Sequence, residues 1–238
     1  MIDFQQGQVL LVDKPLEWTS FDVVNKLRRA LQHLKDKEGK KPFKNIKVGH
    51  AGTLDPLATG LLIVCTGAAT KTIEQLMGFE KEYTGTVFLG ASTPSFDKET
   101  EVDVHYETSH ITEELITQVA KQFTGNILQV PPAHSATIIK GERAYEKARR
   151  GEAVDMPPKQ VTISAFDIVK IEMPLIHFKV VCSKGTYIRS LANDFGKALQ
   201  SGAYLHSLCR TRIGKYSLDK AKQVDVLVKE IKQSVTYF

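Results

Sequence analysis

An isolated aspartate is the feature of this sequence with the clearest chemical potential. Asp55 is the one formally charged side chain between the two terminal lysines of KVGHAGTLDPLATGLLIVCTGAATK, residues 47–71. Its apolar neighbours make an ionised carboxylate costly unless another group pairs with it, and Gly49, Gly52 and Gly60 allow a second backbone to approach closely. An Asp that precedes a Pro also suits a simple turn. The pattern alone leaves two interpretations, a turn residue and a functional carboxylate with a partner cation.

A second stretch, CSKGTYIRSLANDFG, offers a cation for that carboxylate. The pattern changes there from a strand to a helix. Arg189 falls at the start of the helix, where the helix dipole opposes a positive charge, so a cation there needs a local reason. Arg189 is either a surface arginine whose stem covers apolar neighbours, or a bidentate partner that keeps a desolvated carboxylate ionised.

Three familiar kinds of reactive site are excluded by residue spacing. The segment TGAATKT ends like a phosphate-binding loop, but Cys65 and Thr70 stand where that motif requires glycines. Paired carboxylates and His clusters at metal-ligand spacing are missing, and no G-x-S-x-G segment marks a serine nucleophile. The sequence therefore predicts neither a metal nor a cofactor.

Composition and charge favour an intracellular protein with an anionic partner. The 238 residues carry 32 Lys and Arg against 27 Asp and Glu, a net charge of +5 that suits a polyanion. The scattered Cys65, Cys182 and Cys209 indicate reduced core cysteines. The N-terminus lacks a basic signal-peptide region, and no apolar run reaches the roughly 20 residues of a membrane helix. We expect a soluble, cytoplasmic protein that binds no membrane.

The hydrophobic pattern predicts an α+β fold with a largely antiparallel sheet. The predicted strands are GQVLLVDKP, LLIVCTG, KEYTGTVFLG, VTISAFDIVKIEM and HFKVVCSKGTYIR. The predicted helices are TSFDVVNKLRRALQHL, AATKTIEQLMG, TEELITQVAKQF and SLANDFGKALQSG, the last ended by Gly202. The first is capped by Thr19 or Ser20, and its predicted buried face carries Phe21, Val24, Leu27, Leu31 and Leu34. Strands and helices do not alternate regularly, which disfavours a doubly wound parallel sheet.

We expect one elaborated domain over residues 1–238. It is interrupted by a lysine-rich insertion at about residues 35–47 and by an irregular, basic, proline-bearing segment at about residues 125–160. After Tyr216 the pattern predicts one helix, which is too little for another folded module.

Taken together, these segments resemble the TruB-type tRNA pseudouridine synthases over roughly residues 8–215. The shared motifs are, in order, LLVDKP, TSFDVV, GHAGTLDPLATGLL, EYTGTVFLG, VPPAHSA, RAYEKAR and CSKGTYIRSLANDFG. The G-x-L-D-P-x-x-x-G element is highly specific to that family. The resemblance implies a pseudouridine synthase fold, in which a mixed, largely antiparallel sheet is flanked by helices and RNA-binding loops. It also implies an isomerase that converts the T-loop uridine at tRNA position 55 to pseudouridine without a cofactor.

The same resemblance implies roles for individual residues. Asp55 is implied as the catalytic nucleophile, which attacks either the ribose C1′ or the ring C6, and Arg189 as the cation that pairs with it. The residues implied to surround the substrate are His50 at the flipped base, Tyr83 stacked on it, Tyr187 and Leu208 lining the uracil pocket, and Lys14 supporting the floor of the site. Structural roles in the core would suit several of these residues equally well.

The implied partner is the T-stem-loop of tRNA, bound by a monomer that needs no protein partner. Phosphate contacts are expected from the loop at residues 35–47 and from a second basic set, namely Lys140, Arg143, Lys147, Arg149 and Arg150, unless these charges only solvate the surface. The chain departs from the usual family pattern at Glu17 (usually Gly), Ala51 (usually Thr) and Ile138 (usually Lys). A carboxy-terminal PUA-like module, found in many relatives, is not evident.

Two other functions remain open from the sequence. One is an RNA-binding or tRNA-folding protein of the same fold whose catalysis is dispensable. Asp55, Tyr83 and Arg189 favour the enzyme over this alternative, because a binding protein needs no nucleophile with a matched cation. The other is modification directed by a guide RNA, as in archaeal and eukaryotic relatives, which the short C-terminal tail disfavours.

Overall fold

The chain forms two units that differ in their elements. The computed structural model describes residues 4, 6–36, 38–135, 137–139 and 141–234. The first unit comprises Met1–Lys81 and Cys209–Phe238, and the second comprises Glu82–Leu208. Within the described residues, every helix is too short or too polar to cross a membrane.

Strands and helices are numbered in chain order. The strands are β1 (Val9–Lys14), β2 (Val48–His50), β3 (Ala58–Thr66), β4 (Lys81–Leu89), β5 (Ala91–Ser92), β6 (Val104–His105), β7 (Gly125–Gln129), β8 (Ile138–Ile139), β9 (Glu142–Arg143), β10 (Lys159–Glu172), β11 (Leu175–Cys182), β12 (Ala203–Ile213), β13 (Tyr216–Ser217) and β14 (Lys222–Gln223). The helices are α1 (Ser20–Gln32), α2 (Ile73–Gly78), α3 (Glu113–Lys121), α4 (Ala144–Arg149), α5 (Ile188–Ala198) and α6 (Val224–Gln233).

The first unit is organised around strand β3. β1 lies antiparallel to β3 from Val9, opposite Cys65, to Lys14, opposite Gly60, and β14 runs parallel to β1. β2 pairs antiparallel with the last residues of β3. The part of β12 that belongs to this unit is the next strand beside β3.

Burial of β3 on both faces explains its unbroken apolar sequence. Leu62 and Val64 belong to a core cluster that includes buried residues of helices α1 and α6. The intervening residues Leu61, Ile63 and Cys65 belong to a second cluster. Because successive side chains of a strand point to opposite faces, β3 separates two cores.

In the second unit the strands follow the order β12, β4, β11, β10 and β7, and β12 contributes its residues up to Leu208. β10 pairs antiparallel with β11 on one side and with β7 on the other. Phe166 of β10 packs edge to face against Phe178 of β11 and Phe195 of α5, with ring centroids 5.7 and 5.5 Å apart. These aromatic contacts fix helix α5 on the sheet, which matters because α5 carries Arg189.

The predicted α+β class with a mixed, largely antiparallel sheet is confirmed. Helix α1 begins as predicted, because the Thr19 hydroxyl accepts from the Asp22 N–H at 3.0 Å while the Asp22 carboxylate accepts from the Thr19 N–H at 2.9 Å. Its predicted buried face is wrong at Phe21, which is 58% exposed, and Val23 is buried instead. The Arg28 guanidinium lies over the Phe21 ring, 5.9 Å from its centroid.

Two other helix predictions need correction. The segment predicted as one helix after β3 divides into a 3-10 turn, Gly67–Thr72, and the short helix α2. Helix α5 ends at Ala198 rather than at Gly202, because Gln200 already has a left-handed backbone with φ 55°. The helix predicted after Tyr216 is confirmed as α6, whose apolar residues Val224, Leu227, Val228 and Ile231 are buried.

Glu17 occupies a backbone conformation that favours glycine. Its φ is 67°, and its N–H donates to the Pro56 carbonyl at 2.8 Å. A residue with a side chain pays about 1–2 kcal/mol to adopt the left-handed region. Glycine adopts it without strain, but it costs about 0.5–1 kcal/mol because it loses more conformational entropy on folding. We therefore expect Glu17→Gly to raise the free energy of unfolding by about 0.5–1 kcal/mol, measured by urea denaturation. Glu101→Gly is the control, since Glu101 is exposed and has no positive φ, and equal effects of the two changes would contradict the prediction.

Candidate active site

Asp55 lies in the first unit, in the loop between β2 and β3, and is partly exposed. A tight turn follows it, closed by the Ala58 N–H, which donates to the Asp55 carbonyl at 3.1 Å. The preceding residue is fixed from helix α1, because the Ser20 hydroxyl donates to the Leu54 carbonyl at 3.1 Å and accepts from the Leu54 N–H at 2.8 Å. Both Ser20 and Leu54 are buried, so the backbone on this side of Asp55 is held in place.

Lys14, at the end of β1, holds the backbone on the other side of Asp55. Its side chain is fully buried, and Nζ donates to the carbonyls of Pro15, Trp18 and Pro56 at 2.9, 2.6 and 3.4 Å. Burial lowers the pKa of Lys14 to about 8, and the Asp55 carboxylate opposes this shift by favouring the ammonium. This is the geometry of a residue that supports the loop, and direct contact with RNA would require Lys14 to leave these carbonyls.

Arg210 is a third buried support of the same loop, and its role was not predicted from the sequence. It is 1% exposed, and its Nε donates to the Leu61 carbonyl at 2.8 Å. Nη2 donates to the Gly52 carbonyl at 3.0 Å and Nη1 to the Thr53 carbonyl at 3.4 Å. Arg210 therefore ties strand β3 to the residues that lead into Asp55.

The close approach of β12 to β3 explains one glycine of the Asp55 element. Gly60 has φ 98°, and a Cβ at this position would lie 2.4 Å from the Arg210 carbonyl oxygen. A signal for Arg210 was present in the sequence, since an arginine between the apolar residues of LCRTRIG needs a partner when that segment is a strand. It went unused because β12 itself was not predicted.

His50 is the last residue of β2, opposite Val64, and is half-buried. Burial lowers its pKa, and the Arg210 guanidinium lowers it further. The imidazole is therefore neutral near pH 7, so that one ring nitrogen can donate a hydrogen bond and the other can accept one.

In the second unit, Arg189 is the second residue of α5 and is 5% exposed. Its Nε lies 3.6 Å from Oδ2 of Asp97, whose side chain is 7% exposed. Nη1 donates to the carbonyls of His134 at 3.1 Å and Ser95 at 3.5 Å. The interpretation of Arg189 as a surface arginine is therefore wrong. The role of Asp97 was not predicted, because this residue lies in a polar, loop-like stretch with several other acids.

Tyr187 precedes helix α5, and its backbone is held by Gln129. The Gln129 amide donates to the Tyr187 carbonyl at 3.0 Å and accepts from the Tyr187 N–H at 2.7 Å. Gln129 itself is 1% exposed, so its side chain is held in the interior. The Tyr187 hydroxyl lies 3.2 Å from the Thr137 hydroxyl. Tyr187 as a whole is half-buried, so part of its surface is accessible.

Tyr83 and Leu208 lie on β4 and β12 of the second unit. Tyr83 is 8% exposed and shares the buried face of β4 with Val87 and Leu89, as the alternation predicts. Leu208 is half-buried. Lys14, His50 and Asp55 thus belong to one unit, whereas Tyr83, Tyr187, Arg189 and Leu208 belong to the other, and the pairing of Asp55 with Arg189 stays a prediction.

The second predicted phosphate-binding segment carries carboxylates that pair with its cations. In the second segment, Lys147 and Arg150 approach Glu142 at 3.9 and 2.5 Å, and Arg149 lies 2.9 Å from Glu99. Lys140 and Lys37 fall outside the described residues. Because exposed ion pairs are weak, RNA can still displace them, but the carboxylates reduce the positive potential of this segment.

Across the described ranges, no three His, Cys, Asp or Glu side chains lie close enough together to hold a metal ion.

Comparison with known proteins gives a consistent result along the whole chain. Residues 40–188 match the family model described as TruB family pseudouridylate synthase (N terminal domain). A tRNA pseudouridine synthase B of Parabacteroides distasonis is 51% identical over 98% of this chain and 97% of its own length. The protein of the same name from Flavobacterium johnsoniae is 54% identical over 92% of this chain and 93% of its own length.

Solved structures with related folds are more distant. A chain of the archaeal box H/ACA sRNP Nop10-Cbf5 complex is 27% identical, with a TM-score of 0.67 over 96% of this chain and 54% of its own. A chain of a Cbf5-Nop10-Gar1 complex is 29% identical, with a TM-score of 0.69 over 95% of this chain and 54% of its own. The present chain spans about half the length of those two, and the superpositions confirm the predicted fold.

Proposed function

The chain belongs to the TruB family of pseudouridylate synthases, and we propose that it is a tRNA pseudouridine synthase that isomerises the T-loop uridine at position 55. The observation that carries this proposal is the immobilised loop around Asp55. Lys14, Ser20 and Arg210, all buried, hold the backbone on both sides of Asp55. A reacting group must be held in a defined geometry, whereas a simple turn residue needs no such support.

The reaction requires a carboxylate but no co-reactant. The bond between uracil N1 and ribose C1′ breaks, a bond between uracil C5 and the same C1′ forms, N1 gains a proton and C5 loses one. The Asp55 carboxylate can attack C1′ and hold the ribose while the freed uracil turns. Alternatively it attacks C6 and carries the uracil while C5 approaches C1′. Both routes conserve all atoms of the nucleotide.

The target base must leave the stack of the folded T-loop, at a cost of a few kcal/mol. In our proposal the Tyr83 ring stacks on the extruded uracil, and Tyr187 and Leu208 line its pocket. His50, neutral at pH 7, contacts the RNA beside the flipped base. Arg189 pairs with Asp55 in addition to its contact with Asp97. The substrate is then the T-stem-loop of tRNA, bound in the cytoplasm by a monomer.

Substitution of Tyr83 tests the proposed stacking of the uracil on its ring. Tyr83→Ala should lower kcat/KM by about 5- to 150-fold, the equivalent of about 1–3 kcal/mol of base stacking, whereas Tyr83→Phe should lower it by less than about fivefold. Steady-state kinetics on transcribed tRNA measure both effects. Because Tyr83 is largely buried, thermal melting must accompany the kinetics to separate lost stacking from a loosened core. Equal losses in the two variants would assign the effect to the hydroxyl instead of the ring face.

The decisive experiment for the function itself uses an unmodified tRNA transcript and the purified protein alone, followed by chemical mapping of pseudouridine. One new pseudouridine in the T-loop is the expected result. Tight binding without any pseudouridine would favour the RNA-folding alternative. Modification that appears only after a guide RNA or another protein is added would favour guide-directed chemistry.

A further inference from the structure

A cavity lined by lysines lies in the first unit, between the loop after helix α1 and the 3-10 turn after β3. It has a volume of about 640 Å³, and the residues that matter for its chemistry are Lys41, Lys44, Lys47, Gly67, Thr70 and Lys71. We call this feature the lysine groove. Its 3-10 wall is the TGAATKT segment that fails as a phosphate-binding loop, so any anion here would be bound by ammonium groups rather than by a cradle of backbone amides.

Hydrogen bonds and core contacts hold the walls of the lysine groove in place. The Gly67 N–H donates to the Lys47 carbonyl at 2.8 Å, which joins the two walls directly. The Gln32 side chain donates to the Lys44 carbonyl at 3.1 Å. Phe43 and Ile46 of the loop are 4% and 8% exposed and anchor it in the core beneath helix α1. The lysines therefore project from a fixed backbone.

The charge of the lysine groove is uncompensated. Lys41, Lys44, Lys47 and Lys71 are exposed, and none of their ammonium groups forms an ion pair with a residue that the structure describes. The neighbouring Lys40, by contrast, pairs with Glu38 at 2.6 Å. Like charges gathered without a carboxylate repel one another, and a bound polyanion would relieve that repulsion.

We propose that the lysine groove binds the phosphodiester backbone of the tRNA stem, at a distance from the reacting uridine. The proposal rests on the function proposed above. Strand β3 has nine residues and connects the Asp55 loop at its start to the groove at its end. At about 3.3 Å per residue this strand spans roughly 26 Å, so an RNA that reaches both sites does so through several base pairs of helical stem.

The residues that line the groove favour an RNA backbone over a free nucleotide. The lining contains no aromatic ring on which a base could stack and no acidic side chain that could bind a ribose hydroxyl. Ammonium groups on flexible stems bind phosphates as point charges and without sequence preference. The groove thus has the composition of a contact that positions an RNA strand.

A comparison of two charge-matched triple variants tests the proposal. One is Lys44→Gln, Lys47→Gln and Lys71→Gln in the groove. The other is Lys26→Gln, Lys229→Gln and Lys232→Gln on the exposed surfaces of helices α1 and α6. Dissociation constants for full-length tRNA are measured in a salt series. Each lost phosphate contact should reduce the log–log salt slope by about 0.7–0.9, so from 50 to 200 mM salt wild type should lose roughly 20- to 40-fold more affinity than the groove variant.

Three outcomes overturn the proposal. The first is a groove variant whose salt curve superimposes on that of the α1 and α6 variant. The second concerns a hairpin cut back to the T-loop and its adjoining base pairs, which is too short to reach the groove. The proposal fails if the groove variant loses as much affinity for this hairpin as it loses for full-length tRNA. The third is competition of inorganic pyrophosphate with tRNA for the groove, at concentrations that have no effect through the control lysines of α1 and α6. That result would assign the groove to a small phosphate. All three are read from binding, so a failure of catalysis in wild type remains distinguishable from a failure of the groove.

Discussion

Replacement of Asp55 by Asn is expected to lower pseudouridine formation by at least about 10³-fold, the equivalent of roughly 4 kcal/mol in the activation barrier. The amide keeps the volume of the side chain but removes the nucleophile. Hydrogen bonds of the backbone at Leu54, Pro56 and Ala58 do not involve the Asp55 side chain, so the variant should fold and bind tRNA. Release of tritium from tRNA labelled at uridine C5 measures the reaction, because C5 loses its hydrogen when it bonds to C1′.

Asp219→Asn provides the matched control for this prediction. Asp219 is an exposed residue of the same unit, and the substitution changes the net charge by the same amount. The control should retain activity within about twofold of wild type, as surface substitutions usually do. Asp55→Ala is a useful second variant, because an asparagine side chain can hydrolyse back to aspartate and leave a trace of active protein. Turnover within about tenfold of wild type in both Asp55 variants would remove Asp55 from the chemistry.

The nucleophile is visible in the sequence, whereas most of what positions it is not. An acid alone among glycines and apolar residues is a local pattern, and the sequence displays it directly. Ser20 is separated in sequence from its partner in the loop by 34 residues, and Arg210 is separated from its partners there by 157 residues or more. Such long-range hydrogen bonds have no local periodicity. The supporting role of Lys14 could be predicted only from the resemblance to a family, since a lysine before a proline otherwise indicates an exposed turn.

The fold shows the same division between local and long-range information. Strand β3 is predictable because both of its faces are buried and every residue from Leu61 to Cys65 is apolar. Strand β12 was missed because it carries His206, Arg210 and Arg212 between apolar residues, a composition typical of a surface segment. The buried guanidinium of Arg210 is tolerated there because three backbone carbonyls accept its hydrogen bonds. Tertiary contacts thus overrode the hydrophobic pattern at the strand that supports the Asp55 loop.

Phe21 illustrates a smaller error of the same kind. The helical spacing of Phe21, Val24 and Leu27 is correct, yet the buried face is centred on Ser20, Val23 and Leu27. The buried face of helix α1 carries Val23, Val24, Leu27 and Leu31, and position 21 lies outside it. The hydrogen bonds of Ser20 with Leu54 lie on the same buried face.

Replacement of Arg189 by Ala is expected to lower the free energy of unfolding by about 3–5 kcal/mol, because it leaves the Asp97 carboxylate buried without its cation. For a chain of this size the melting temperature should fall by about 6–20 °C. The carbonyls of Ser95 and His134 lose a donor as well, which adds to the cost. Calorimetry or thermal melting of the purified variant measures the effect, and pseudouridine formation should fall in parallel because Arg189 is proposed to pair with Asp55.

Arg149→Ala is the control, because Arg149 also pairs with a carboxylate of its unit but does so in solvent. The side chains of Arg149 and Glu99 are 63% and 38% exposed, against 6% and 7% for Arg189 and Asp97. An exposed pair contributes about 0–1 kcal/mol, so the control should melt within a few degrees of wild type. In a double-mutant cycle, Asp97→Asn should recover part of the stability lost in Arg189→Ala, since the neutral amide is less costly to bury than an unpaired carboxylate. If Arg189→Ala melts like Arg149→Ala and gains nothing from Asp97→Asn, the buried pair does not stabilise the second unit, and the role of Arg189 lies in catalysis alone.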